Sequence, residues 1–420
     1  MLLYDSSKTA VLMNNTLKNL HGTTTTTDGA SAAGLTVTEN LSNFVECGRA
    51  VATALENAPQ LLLNITTGMI ETVQAIYYEL ATKEGIFTDQ FDLQISDGEF
   101  ACAVEKVRIE DKDFEASFVL DESYSSSFDD LFKKHPFTFN VKVWNNSGIY
   151  RTKPFTISYE MLHTSVQNVE AYNRLIAAIW SVIDVVVEEA LSQSPWFCVR
   201  QQIANAALYR SGVRVVNLVP EYLKEHQGAT FAPDDPTFAK WFVKWQRHQR
   251  KLMRKKTNKF GGTAKITMNT PERYERKFLI DTFYDTINGA LSGVYHDDKI
   301  GNLDDYELIT EIQNVNEPRT LDIVPANPPV LTLNKHVTNV TFNGTIVGMV
   351  WDKRGTAWSL GFKHIRDNAN NFDEHVNYIE TVKARHMVDE DSNVIVYVID
   401  TTKTGDNYNP GYTITEESDE

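Results

Sequence analysis

The longest unbroken helical pattern in the chain, between Val166 and Leu191, limits what the rest can be. Val166, Val169, Leu175, Ile176, Ile179, Trp180, Ile183, Val186, Val187 and Leu191 recur at three- and four-residue steps, with Asn168, Glu170, Asn173 and Arg174 at polar positions. That spacing writes one broad apolar face. Pro195 is expected to end the helix, because proline lacks the N–H that the next turn needs. From Val166 to Leu191 the helix would run roughly 39 Å. A rod of that length needs other elements laid along it, and a chain of 420 residues is long enough for more than one packing unit.

Upstream, residues 1–65 read as an arm. The run Thr23 to Ser31 is small and polar and buries too little apolar surface to offset its ordering entropy. A short helix over 66–86 follows, on Met69, Ile70, Val73, Ile76, Tyr77 and Leu80, with Gly85 at its stop. Residues 87–163 read as strands and long turns. Phe137, Phe139, Val141 and Val143 alternate with polar residues, as do Phe155, Ile157 and Tyr159, with the turn Asn145 to Gly148 between them. Charge is segregated in this flap. Acids crowd 86–132, among them Glu110, Asp111, Asp113 and Glu115, while Leu131 to Pro154 holds no acid but has Lys133, Lys134, Lys142, Arg151 and Lys153. Either the flap is a solvated hairpin with complementary arms, or its two charged arms meet neighbouring subunits.

Downstream of the rod, a second helix is expected over 236–256. Phe238, Trp241, Phe242, Trp245 and Leu252 form one face, and Lys240, Lys244, Arg247, Arg250, Lys251, Arg254, Lys255 and Lys256 crowd the rest. These cations are a solvated face, a contact for an acidic partner, or a contact for DNA phosphates. Gly261-Gly262 marks a boundary. Thr270-Pro271-Glu272 then reads as an N-cap with proline at the first helical position, opening a helix through Tyr274, Phe278, Leu279 and Phe283. A proline-containing loop leads to a strand at Val347 to Trp351. A closing hairpin is expected, with arms His375 to Val388 and Asn393 to Asp400 around the turn Asp389 to Ser392. Val394 to Ile399 is apolar on both faces, so that arm is expected to be central. The end of the chain is polar and acidic, a mobile tail.

No catalytic motif emerges: there is no GxxxxGK[ST], GxGxxG, GxSxG or HExxH. Histidines are scattered singly, and Cys47, Cys102 and Cys198 lie far apart, as for reduced, buried thiols. No catalytic residue, metal site or cofactor is expected. No stretch approaches the ~20 apolar residues of a membrane span, and no leader pattern opens the chain, so it is expected to stay in the cytoplasm where it is made. The net charge of −16 disfavours tight DNA binding and favours a surface that repels polyanions.

The order of these parts resembles the major capsid protein fold shared by tailed bacteriophages and herpesviruses, the Hong Kong phage fold, an α+β architecture. Phe238 to Lys256, Met268 to Leu291 and Gly348 to Val398 bring the chain nearest to small short-tailed podoviruses of the phi-twenty-nine type. The resemblance covers about 66–400. It implies an N-terminal arm (1–65), a short helix (66–86), an extended loop (87–163), a spine helix with the peripheral domain (164–262), an axial domain (263–347), closing strands (348–403) and an acidic tail (404–420). It further implies self-assembly into rings of five and six in an icosahedral head around double-stranded DNA, touched only weakly. A portal protein and, because the arm is short, a separate scaffolding protein are implied partners. The subunit would be assembled in the host cytoplasm and reside in the virion. Glu110, Asp111, Asp113, Glu115, Lys133, Lys134, Arg151 and Lys153 are then candidate subunit contacts. Lys244, Arg247, Arg250, Lys251, Arg254, Lys255 and Lys256 would meet an acidic partner or DNA. Two other classes remain: a nucleic-acid-binding virion protein using helix 236–256, and a phage depolymerase. The depolymerase is disfavoured because no internal repeat appears.

Overall fold

A computed structural model describes residues 6–21, 36–58, 61–84, 91–93, 104–109, 139–144, 149–210, 212–262, 268–292, 303, 305–312, 321–323, 330–332, 335–370 and 374–418. Among them the chain opens on α1 (Ser6–His21), α2 (Phe44–Asn57) and α3 (Leu61–Glu84). Strands β1 (Val104–Ile109), β2 (Phe139–Trp144) and β3 (Ile149–Ser158) come next, then α4 (Tyr159–Val166) and α5 (Val169–Leu208). After β4 (Val215–Asn217), α6 (Leu218–Glu225) and α7 (Pro236–Arg254), a 3-10 turn at Glu272–Tyr274 leads into β5 (Glu275–Ile280) and α8 (Asp281–Ser292). Short strands β6 (Glu307–Ile309), β7 (Leu321–Ile323) and β8 (Val330–Thr332) precede β9 (Lys335–Phe342) and β10 (Thr345–Asp352). The chain closes with β11 (Thr356–Asn370), β12 (His375–Val388), β13 (Val394–Ile399), β14 (Lys403–Thr404), β15 (Asn407–Tyr408) and β16 (Tyr412–Ser418).

The rod α5 is 40 residues long, so it runs about 60 Å. Asn168 caps its start, its side chain accepting from the Glu170 N–H at 2.9 Å. Pro195 does not end it but lies inside it. Burial beyond the proline outweighs the lost backbone bond. Trp196, Cys198, Val199, Ile203, Ala204, Ala206 and Ala207 are all buried, and tertiary burial decides helix length more than propensity does. Val166 belongs to the separate short helix α4, capped by Ser158.

The expected arm at 1–65 is corrected in the same way. Helix α1 buries Thr9, Ala10, Leu12, Met13, Thr16 and Leu17, and α2 buries Phe44, Cys47, Val51 and Leu55. Thr9 donates to Asn173 at 3.0 Å, and the Thr16 hydroxyl meets the Tyr172 hydroxyl at 3.2 Å, so α1 is held against the start of α5. The polar run between the two amphipathic helices dominates the composition of the segment and hides them; the run itself, Thr23 to Ser31, lies outside the described residues. Helix α3 begins at Leu61, five residues before the expected start. Its Tyr77 hydroxyl donates to Asp184 of α5 at 2.7 Å.

Two sheets stand against the rod. The first has the order β11-β12-β3, all antiparallel, and packs on α5. The second has the order β4-β13-β10-β5-β6 and is covered on both faces. Along β13, Val394, Val396 and Val398 enter the core that contains α5, while Ile395 and Tyr397 enter a second core with α7 and α8. Phe278 and Leu279 of β5 divide in the same way. The expectation of a central strand at Val394 to Ile399 therefore holds.

Several expected elements differ. Residues 275–280 are a strand, not a helix: its neighbours β10 and β6 and its two-sided burial override the capping signal at Thr270-Pro271. The closing hairpin does not exist. Strand β12 pairs with β11 and β3, and β13 pairs with β10 and β4, so Asp389 to Ser392 crosses from one sheet to the other. A strand buried on one face suits the first sheet, and a strand apolar on both suits the middle of the second. The expected boundary at 347/348 cuts through β10. Nor is the tail loose. Strand β16 pairs along β9, and Tyr412, buried, sits 5.6 Å from the Phe342 ring. The extended-loop range 87–163 also contains body: Phe91 is buried between Trp196 and Trp351.

Helices α2 and α4 approach closely at Gly48, where a Cβ would lie 1.8 Å from the Val166 carbonyl oxygen. Gly48→Ala is therefore expected to destabilise the fold by about 1–3 kcal/mol through overpacking. Urea unfolding should show a lower midpoint at unchanged slope; an unaltered midpoint would show that the two helices separate freely.

Candidate functional site

The ribbon of β1 and β2 is antiparallel, with Ile109 opposite Phe139 and Val104 opposite Trp144, and it joins no other sheet among the described residues. Of the expected flap contacts, Glu110, Asp111, Asp113, Glu115, Lys133 and Lys134 lie outside the described residues. Arg151 and Lys153 do not belong to the ribbon. They stand in β3, opposite Val382 and Glu380 of β12, and Lys153 is exposed. The strands expected to flank the turn at 145–148 do not pair with each other: β2 pairs with β1, and β3 with the long strand β12.

Helix α7 matches its expected start, with Asp235 capping through the Thr237 N–H and Pro236 in the first turn. Phe238, Trp241 and Phe242 are buried and Trp245 packs beside them, against Phe283 of α8 and Tyr397 of β13. Its cations divide into two sets. Lys244, Arg247, Lys251, Lys255 and Lys256 are exposed. Arg250 and Arg254, expected with them, turn inward. Arg250 is 7% exposed and donates to the buried Glu275 and, at 2.7 Å, to Asp305. Arg254 donates to Glu275 at 3.1 Å and to Glu272 at 2.8 Å, while Lys277 also reaches Asp305. Burial works against the Arg250 charge. The hydrogen bond with Asp305 and the fields of Glu275 and Asp305 outweigh it and hold the pKa above the ordinary arginine value. Burial likewise opposes the Asp305 carboxylate, and the bonds from Arg250 and Lys277 overcome it, leaving its pKa below the usual range. The sequence held a signal for this division: Phe242, Gln246, Arg250 and Met253 follow helical spacing, which puts Arg250 on the stripe of buried residues.

A second polar centre lay beyond sequence reasoning. Arg214 is fully buried. It donates to the carbonyls of Asn205 and Tyr209 at 3.1 and 3.3 Å and to that of Ser392 at 2.9 Å. Burial pushes its pKa down to about 9, opposed by Asp391 and Asp389. Nearby, Asp352 accepts from Thr270 at 3.0 Å and pairs with Arg354 at 2.6 Å. Among the described residues no group of three or more His, Cys, Asp or Glu could hold a metal ion, and no helix is long and apolar enough to cross a membrane. The described polar clusters are braces and outward-facing patches.

No protein-family model matches the chain, and no curated protein is similar to it in sequence. Solved structures are similar in outline. The capsid structure of Staphylococcus phage Andhra matches with a TM-score of 0.45 and 11% identity, over 74% of this chain and 84% of that one. A structure of the head fiber and inner core protein of bacteriophage P68 matches with a TM-score of 0.44 and 10% identity, over the same shares. A virus-like particle from Pyrococcus furiosus matches over 76% of this chain and 98% of that one, with a TM-score of 0.32 and 7% identity.

The two sets of cations should separate in stability measurements. Arg250→Ala removes the most deeply buried partner of Glu275, leaving it to Arg254 and Lys277, and is expected to cost about 2–4 kcal/mol, somewhat less than a wholly unpaired buried charge. Lys251→Ala, one residue along, should stay within about 0.5 kcal/mol. Asp305, with its lowered pKa, contributes stability above the ordinary carboxylate value and loses it as pH falls through the folded value. Asp305→Asn should therefore lower the unfolding midpoint at neutral pH and flatten its decline below about pH 4. Equal losses for Arg250→Ala and Lys251→Ala would contradict the inward placement.

Proposed function

We propose that this chain is a major capsid protein, which assembles into the icosahedral head of a tailed bacteriophage around double-stranded DNA. The observation that carries the reading is the arrangement on α5. One long rod bears a one-sided sheet along it and a two-sided sheet tied to its far end, and a two-stranded ribbon joins neither sheet among the described residues. Such a shape suits a subunit that must fill rings of both five and six, where each contact has to tolerate small changes of angle. Exposed ion pairs, at about 0–1 kcal/mol each, are individually reversible and sum around a ring.

Finer parts of the reading rest on the same resemblance. Kinship with small short-tailed podoviruses rests on the stretches Phe238 to Lys256, Met268 to Leu291 and Gly348 to Val398. A scaffolding protein during assembly, a portal protein at one vertex, assembly in the host cytoplasm and a final place in the virion belong to the proposal. The net charge of −16 would keep packaged DNA from adhering to the wall.

Co-expressed with its scaffolding protein, the chain is expected to give closed shells with five- and six-membered rings under negative-stain microscopy. Particles that stop at dimers or trimers at high concentration would overturn the reading.

A further inference from the structure

Helix α7 contains no Asp or Glu between Pro236 and Arg254. With Arg250 and Arg254 turned in to Glu275, Asp305 and Glu272, the outward cations form a line. Lys244, Arg247 and Lys251 succeed one another at steps of three and four residues, about 10 Å along one side of the helix, and Lys255 follows at the extended residue just past its end. All four are exposed. Like charges at such steps repel each other and weaken the free helix. Among the described residues, Glu272, Glu275 and Asp305 are already engaged by Arg250, Arg254 and Lys277. The row is therefore held at a cost to the isolated subunit, and an anionic occupant would remove that cost.

The chain itself carries a matching occupant. Between Ile109 and Phe139, which face each other at one end of the β1–β2 ribbon, residues 110–130 hold eight acids against Lys112 alone. The chain leaves the ribbon at Ile109 and re-enters at Phe139, opposite it, so residues 110–138 can reach at most about 50 Å from that anchor. We propose that the α7 row is the docking surface for the acidic stretch 110–130 of a second copy of this chain. The inference rests on the capsid reading and adds to it which surface of the neighbour the ribbon's acidic stretch engages. The same row could in principle meet DNA phosphates, but the acidic stretch supplies its counter-charge from within the assembly, in the same stoichiometry as the row.

Charge exchange tests this. The variant K244E/R247E/K251E/K255E is expected to keep the wild-type circular dichroism and urea midpoint while its shell yield falls at least tenfold. Reversing Glu110, Asp111, Asp113 and Glu115 to lysine should cause a similar loss, and both sets combined in one chain should restore shells. Should the reversed helix fail to fold, K244Q/R247Q/K251Q/K255Q serves instead, with assembly that no longer weakens as salt rises. Normal shell yield from the α7 variant with reduced DNA content would assign the row to the genome and overturn the proposal. Failure of the combined variant to recover, when each set alone abolishes assembly, would also overturn it. Absence of shells from the wild-type chain would instead remove the capsid reading on which the inference stands.

Discussion

The Arg214 guanidinium holds the joint on which the two sheets depend. Helix ends leave carbonyls to be satisfied from outside the helix; at the end of α5 the Tyr209 carbonyl accepts from this buried side chain, and so does that of Asn205, which also takes the Tyr209 N–H. Its remaining bond goes to the Ser392 carbonyl, in the segment that passes from β12 to β13. The end of the rod, the end of the first sheet's middle strand and the start of an interior strand of the second thus meet at one cation. The joint is packed as tightly as it is bonded. A Cβ on Gly262 would come 2.2 Å from the Glu390 carbonyl oxygen, and one on Gly355 would lie 1.9 Å from the Ser392 hydroxyl oxygen. A guanidinium deprived of water is costly, and burial does push its pKa down; it remains charged near neutrality because about 9 still lies well above that pH.

From the joint, the placement of the second sheet is determined. Strand β13 has a core on each side, and α7 is laid on one of those sides by Phe242 and Trp245 against Tyr397. The rotation of α7 about its axis is then set by packing, not by charge. Arg250 and Arg254 point where Glu275 and Asp305 stand ready, and the remaining cations have only the outside left. The outward row is in this sense a consequence of the aromatic stripe. The Glu275 cluster fixes it a second time, since rotating the helix would bury lysines and strip the buried carboxylate of its partners.

Sequence periodicity reveals the parts whose environment is set locally. The faces of α3, α5 and α7 are legible because each helix buries one side and leaves the other to water, which writes a helical period into the sequence. The strand Val394 to Ile399 is legible because two-sided burial leaves a run with no polar gap. Illegible are the features set by distant partners. Pro195 stays helical because residues 196–208 have a core to enter. The stretch 275–280 extends because β10 lies beside it, against a capping signal at Thr270-Pro271-Glu272 that is real but produces only one 3-10 turn. The acidic end pairs because β9 offers an edge, with Tyr412 reaching Phe342. Arg250 differs from these in kind: its spacing places it inward, and only its charge argues for the outer face.

Charge in this chain is sorted by depth. The buried cations Arg214 and Arg250 each have acids or carbonyls directed at them, as desolvated charge requires. The exposed ones on α7 have water, and their neighbours on the helix are of like sign. A subunit that worked alone would gain by interspersing acids along that face, since opposite charges at three- and four-residue steps support a helix and like charges weaken it. In the closed shell proposed for this chain the balance would differ, because every copy would bring both an excess of acid elsewhere and the same row. Complementarity within one sequence then needs no second protein, and the row's repulsion in the free subunit becomes attraction only where a neighbour is present. Contact strength would in this way be tied to assembly itself, while the apolar cores on either side of β13 hold the subunit's own fold.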